Sequence, residues 1–238
     1  MKTFFYGFGG GIVALFLIFS LPWGGTIAFN LIRGNLVEFL GTKPEPTPTP
    51  IITSDDFWQK IVSDHNLSTV AVQSFKNGKI IREGSGIVVS SDGIIITTFD
   101  IISGTDVIQV FHQDKILRAQ VVRYDSFKNL ALLKVDNSNM DVSRLDSAYQ
   151  FQSGKDVIIS GRLVELSNAV VFAQRGIISH VLSKDIVLNT EPNYFLSGSK
   201  VINDSGIVVG MSYLRNESVR LIAAKTMGDF LRSYFESV

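Results

Sequence analysis

The residues able to do chemistry in this 238-residue chain are few. It contains no cysteine, which removes disulfides, thiolate metal sites and a cysteine nucleophile together. It has three histidines, His65, His112 and His180, the residue type most often used as a general base. They are scattered and match no metal-ligand spacing, so neither a metal nor another cofactor is expected. One serine stands in a suggestive context, because Ser197-Gly198-Ser199-Lys200 has the Ser-x-x-Lys spacing of a serine/lysine dyad. That spacing works on a helix, where positions i and i+3 share a face. Here Lys200 leads into Val201-Ile202, a strand signal, so the dyad reading is set aside. The glycines of Gly7-x-Gly9-Gly10-Gly11 lack the strand and helix context of a phosphate loop and are read as small residues in an apolar segment.

The elements that would hold these residues are mostly strands. With 45% hydrophobic and 18% charged residues the chain can bury a sizeable core. Its 22 basic and 22 acidic residues cancel, which gives no electrostatic reason to expect nucleic acid. A short helix is expected to open the folded part, capped at Ser54 or Asp55, with Phe57, Trp58, Ile61 and Val62 on one face. Val70–Phe75, an Asn77-Gly78 turn and Lys79–Ile81 read as a hairpin, and Asp92-Gly93 marks a second. Further strand-like runs are Val107–Phe111, Leu117–Val122, Leu130–Val135, Val157–Ser160, Val170–Ala173, Ile186–Leu188, Ile207–Val209 and Leu221-Ile222. Met227, Phe230, Leu231, Tyr234 and Phe235 then follow a helical period, which predicts one closing amphipathic helix. Many short strands with tight turns predict an all-β architecture of barrels or sandwiches.

Five blocks, in order, resemble the HtrA/Deg type of trypsin-like serine protease. Ser85-Gly86-Ile87-Val88-Val89 with Asp92-Gly93-Ile94-Ile95-Ile96-Thr97-Thr98 is similar to the strand, turn and strand that lead to the family's catalytic histidine. Asp125-Ser126-Phe127-Lys128-Asn129-Leu130-Ala131-Leu132-Leu133-Lys134 resembles the block whose second aspartate orients that histidine. Gly154-Lys155-Asp156-Val157-Ile158-Ile159-Ser160-Gly161 and Arg175-Gly176-Ile177-Ile178-Ser179 resemble two strands of the second barrel. Leu196-Ser197-Gly198-Ser199-Lys200-Val201-Ile202-Asn203 with Gly206-Ile207-Val208-Val209-Gly210 resembles the nucleophile loop and the strand after it. The resemblance implies a trypsin-like double six-stranded β-barrel with a C-terminal helix.

Carried over position by position, the resemblance implies a degenerate catalytic triad. The base position is Asp100, the orienting position is Asn129, and Ser197 alone keeps the family's residue. A free aspartate titrates near 3.9, and raising one to neutrality takes roughly 4 kcal/mol of burial or repulsion. Asn129 brings no negative charge to such a task. The oxyanion-hole donors would be the backbone N–H groups of Ser197 and of the residue two before it, a glycine in the family and Phe195 here. Ser199 and Lys200 replace a glycine and a proline of the same loop.

Ahead of the domain, Lys2 precedes an uncharged run from Phe4 to Ile32, longer than the roughly 20 apolar residues that span a bilayer. No Ala-x-Ala-like cleavage site is evident, so the run is read as an uncleaved transmembrane helix, with Pro22 and Gly24-Gly25 kinking it or marking its outer end. Lys2 on one side and Arg33 and Lys43 on the other leave only a weak orientation bias. Lys43-Pro44-Glu45-Pro46-Thr47-Pro48-Thr49-Pro50 holds four of the six prolines and reads as an extended spacer.

The expected organisation is a cytoplasmic tip and membrane anchor over 1–33, a Pro/Thr-rich linker over 34–53, and a trypsin-like domain over 54–238. Within that domain the first barrel takes about 66–140, the second about 145–224 and the final helix about 225–237. No sequence follows for a peptide-binding PDZ module. The expected protein is a single-pass membrane protein whose domain lies outside the cytoplasm, in the periplasm or at the cell exterior. It is inactive as a protease and serves as a peptide-binding or scaffold module with an envelope partner. A peptidase using an unusual base or a histidine from another subunit, and a structural domain with no ligand, are the rival readings. Active relatives of this type form trimers through aromatic residues near the start of the domain, which makes Phe57 and Trp58 candidates for such a contact.

Overall fold

A computed structural model describes residues 54–182 and 185–237. The expected membrane helix over Phe4–Ile32 and the Pro/Thr-rich linker lie outside the described residues. Among the described residues no helix is long and apolar enough to cross a membrane.

Helix α1 (Ser54–His65) is followed by twelve strands in two sets of six. The first set is β1 (Thr69–Lys76), β2 (Lys79–Ser90), β3 (Ile94–Thr97), β4 (Val107–His112), β5 (Lys115–Asp125) and β6 (Leu130–Val135), with a short helix α2 (Phe99–Ile102) between β3 and β4. These close into a barrel in the order β1-β2-β3-β6-β5-β4. The second set is β7 (Asp156–Glu165), β8 (Asn168–Val181), β9 (Ile186–Asn189), β10 (Lys200–Asn203), β11 (Val208–Arg215) and β12 (Ser218–Ala223). It closes as β10-β11-β12-β9-β8-β7, and helix α3 (Ala224–Phe235) ends the fold. All pairings between these strands are antiparallel, and closure gives every strand a partner on both sides over at least part of its length.

The tight turns fall where the residues permit them. Asn77 and Gly78 carry φ of 50 and 73°, the left-handed pair that a two-residue hairpin requires. Where separate strands are expected around Val170–Ala173 and Arg175–Ser179, the structure has one 14-residue strand, β8. Its ladder to β7 runs unbroken from Asp156↔Ile177 to Glu165↔Asn168, so the polar Gln174 and the small Gly176 stay in register.

Each barrel has its own apolar interior. Val70, Val88, Ile95, Val110 and Leu133 fill the first, and Val157, Ile159, Ile178, Val201 and Val209 the second. A third cluster joins the barrels, where Met227 and Phe230 of α3 pack with Ile87, Ile96 and Leu132 from one and Met211 and Ile222 from the other. Helix α1 seats Trp58 and Ile61 on Ile158, Ile202 and Val208 of the second barrel. Of the two aromatics at its start, Trp58 is therefore core, while Phe57 stays 36% exposed against its edge.

Candidate active site

Three segments meet where the barrels face each other. Helix α2 presents Asp100, the turn between β5 and β6 presents Asn129, and the loop before β10 presents Ser197. The nucleophile loop is fastened to the first barrel by backbone, where Ser85 N–H of β2 donates to Ser197 O at 2.9 Å, and within that barrel Thr97 Oγ1 holds Ser85 by donating to its carbonyl at 2.7 Å. Gly198 makes that approach possible. Its φ is +81°, and a Cβ there would lie 1.9 Å from the Ser85 oxygen.

Ser197 Oγ lies 3.5 Å from Asp100 Oδ2 and also accepts the Leu214 N–H at 3.3 Å. A hydroxyl-to-carboxylate bond poised for proton transfer is about 2.5–2.7 Å, so the serine only grazes the aspartate. The other carboxylate oxygen, Oδ1, takes the Ile101 N–H at 3.1 Å. Asn129 does not touch the carboxylate through its amide nitrogen. Its side-chain oxygen instead accepts the Asp100 backbone N–H at 2.9 Å, and its own carbonyl accepts the Phe99 N–H at 3.2 Å. Both bonds satisfy free donors at the start of α2, which is capping rather than orienting a base. Asn129 has φ of 54°, a conformation asparagine tolerates better than most residues.

The loop before Ser197 forms a 3-10 turn over Tyr194–Leu196, with Leu196 N–H donating to Asn193 O at 3.2 Å. Gly198 N–H is spent on Ser212 O at 2.9 Å and Ser199 N–H on Leu196 O at 3.2 Å. An oxyanion site needs neighbouring N–H groups aimed together at one external point, and of its two positions here Phe195 lies within the 3-10 turn and Ser197 directly after it. Phe195 is absent from the residues with positive φ; its ring packs edge-on against Phe172, centroids 4.7 Å apart. That ring contact ties the loop to β8.

Lys200 does not approach Ser197. It opens β10 with its side chain fully buried, and Nζ donates to His65 O at 2.9 Å and Ser68 Oγ at 2.6 Å. Burial pushes its pKa down to about 7, with a smaller contribution from repulsion by the Arg162 guanidinium. Arg162 is itself buried, and desolvation lowers it as well. His65 and His112 are both pushed below the usual histidine range, mainly by burial, and their Nε2 atoms contact Gly206 O at 3.0 Å and Leu67 O at 3.2 Å. His180 sits on β8 beside Ser179 Oγ at 2.8 Å. None of the three is hydrogen-bonded to Ser197, and no cluster of metal-ligating side chains occurs among the described residues.

Asp100, Asn129 and Ser197 therefore come together as the aligned blocks require. Two features escaped sequence reasoning: the Leu214 N–H on the serine, and the burial of Lys200. A lysine heading an apolar strand run was the available signal for the second.

The description "Trypsin-like peptidase domain" matches residues 84–211. The serine protease Do-like HtrA of Lactobacillus helveticus is 28% identical over 211 residues, which covers 81% of this chain and 49% of that protein. The serine endoprotease DegS of Haemophilus influenzae is 29% identical over 164 residues, 64% of this chain and 47% of that one. A probable periplasmic serine endoprotease, DegP-like, of Halomonas elongata is 29% identical over 135 residues, 54% and 28% of the two chains. This chain thus spans less than half the length of these relatives. Among solved structures, the serine endoprotease from Yersinia pestis superimposes with a TM-score of 0.65 over 75% of this chain and 66% of that one, at 22% identity, a likeness of fold.

Proposed function

The chain belongs to the trypsin-like peptidase domain family, and from that premise we propose that it is a family member without peptidase activity, kept as a peptide- or protein-binding module at the cell envelope. The observation that carries this reading is the state of Ser197. Its hydroxyl stands 3.5 Å from a carboxylate and no nearer to any base, and it is held by the Leu214 N–H. Serine nucleophiles need a partner able to take the proton and donors able to hold the oxyanion. Asp100 is poorly placed for the first task, and at the second Phe195 stands in a 3-10 turn where the family has a glycine.

Relatives described as periplasmic support a domain outside the cytoplasm. The uncharged Phe4–Ile32 run supports attachment to the membrane by a single span. Phe57, exposed beside the buried Trp58, is the aromatic available for contact with further copies.

The test is hydrolysis of a mixed casein and peptide-library substrate by the full chain, alongside labelling by a serine-directed phosphonate. No turnover and no adduct are expected, with cooperative unfolding retained. Stoichiometric phosphonate labelling that disappears in Ser197→Ala would overturn the inactive reading.

A further inference from the structure

The first barrel is closed by β1 and β4, yet one of its strands runs past its neighbour. The β4–β5 ladder ends at the pair Ile108↔Ala119, whereas β5 continues against β6 as far as Asp125↔Leu130. Gln120 to Tyr124 therefore have β6 on one side, with a bulge at Val122, and pair with no strand on the other. In an antiparallel strand, alternate N–H and C=O groups face each edge, so this stretch offers unpaired backbone groups outward. Three of its five residues are exposed and hydrophobic, Val121 at 41%, Val122 at 37% and Tyr124 at 60%, while Arg123 is drawn to α3 by a bond to Ser233 O at 2.8 Å.

A cleft of about 740 Å³ lies against this edge. Its opposite wall is the segment Ser103–Val107, and its lining includes Phe99 and Ile102 of α2. That wall is braced from behind. Asp106 N–H donates to Phe75 O at 2.8 Å, Thr105 Oγ1 to Ile102 O at 2.8 Å, and Arg82 Nη1 to the Ser103 carbonyl. Phe99 and Tyr124 stack with centroids 5.1 Å apart and an interplanar angle of 23°, which holds the aromatic side of the cleft in place. Arg118 and Asp106 both line the cleft and neither has an ion pair among the described residues; the Asp106 carboxylate accepts the Asn77 N–H at 2.9 Å, which leaves Arg118 as the cation available to an acidic side chain.

From this juxtaposition we propose that the Gln120–Tyr124 edge of β5 docks an extended peptide of a partner protein, which adds as a strand in the cleft, places an apolar side chain against Phe99 and Tyr124, and sets an acidic residue against Arg118. The mode is strand addition, in which main-chain bonds supply affinity and alternate side chains supply specificity. A wall on the far side favours a single slender strand over the broad edge of a second barrel. The inference rests on reading the domain as a binding module, but its site is separate from the Ser197 cleft.

The experiment selects from a synthetic library of nine-residue peptides on the immobilised full chain and measures the winners by fluorescence anisotropy. Winners are expected to alternate apolar residues around an Asp or Glu. Their affinity is expected to fall about tenfold or more in Val121→Glu and Arg118→Glu, the loss typical of a central contact. Val170→Glu, equally exposed on β8 at 40%, should leave binding unchanged. Methylating the peptide amides at one alternate register should abolish binding, and methylating the other should not, because a strand bonds its neighbour through every second residue. Equal effects of both registers, or binding indifferent to Val121→Glu, overturn the docking site. If the winners are instead lost in Tyr194→Ala beside Ser197, the docking site falls while the binding module stands. Absence of winners overturns both, and a concentration-dependent dimer abolished by Val121→Glu replaces the peptide by a second copy.

Discussion

Replacing Lys200 by methionine should make this protein more stable, and most so below neutral pH. The amine is fully buried, its nearest partners are a carbonyl and a hydroxyl, and the charge that acts on it is another cation, Arg162. Depression from the ordinary 10.5 to about 7 is a drop of about 3.5, which at about 1.4 kcal/mol for each tenfold amounts to roughly 5 kcal/mol of folded-state penalty. The unfolded chain binds more protons than the folded one between about 7 and 10.5, so stability rises with pH across that window. Below about 7 both states carry the proton and the whole penalty is present. The hydrogen bonds lost are cheap, because His65 O keeps the Thr69 hydroxyl at 2.9 Å and Ser68 Oγ keeps Ser143 Oγ at 3.0 Å. Swapping a buried charge for an apolar side chain of similar volume commonly gains about 1–4 kcal/mol, and Lys200→Met should gain about 2–4 kcal/mol at pH 6.

The assay is urea unfolding of both proteins at a series of pH values from 6 to 9.5. His65 and His112, pushed down by burial, affect stability below the ordinary histidine value of 6.5. Tyr149 and Tyr213, raised by burial, act above 10. The interval from 7.5 to 9.5 therefore isolates Lys200. The native protein should gain stability across it, the variant should stay level, and the two curves should converge. Parallel curves, or a variant less stable than the native protein at pH 6, would refute the argument that this lysine is held uncompensated.

Three further outcomes follow from the same structure. Asp100→His combined with Asn129→Asp should not restore normal peptidase turnover, because the 3-10 turn at Tyr194–Leu196 persists; turnover near that of an active relative on the same fluorogenic peptide would show that the turn opens freely. Gly198→Ala should cost about 3 kcal/mol or more, since it combines a positive φ with backbone contact to Ser85, and a melting temperature unchanged within error would contradict the close approach. The β7–β8 turn places Leu166 and Ser167 at φ of 47 and 70°, where Asn-Gly belongs; Leu166→Asn with Ser167→Gly should therefore stabilise by about 1–2 kcal/mol in urea unfolding, while Asn77-Gly78 already has the favoured pair.

Much of the architecture is local in origin and could be read from residues alone. Alternating apolar residues, Asn77-Gly78 and Asp92-Gly93 specify strands and turns because period and positive φ are properties of a few consecutive residues. The blocks around Ser85, Asn129 and Ser197 also singled out three residues that lie side by side in the cleft. The state of the cleft is a different matter, because it depends on groups far apart in the chain. Asp100 and Ser197 are 97 residues apart, and the 3.5 Å between them is set by how Gly198 lets the second barrel approach Ser85 of the first. Phe195 packs edge-on against Phe172, which lies on a strand longer than its sequence announces. Lys200 becomes a buried cation because α1 brings the His65 carbonyl over the start of β10. Local propensity decides which elements form, whereas side-chain environment, and with it proton affinity, hydrogen bonding and reactivity, is decided by what packing brings alongside.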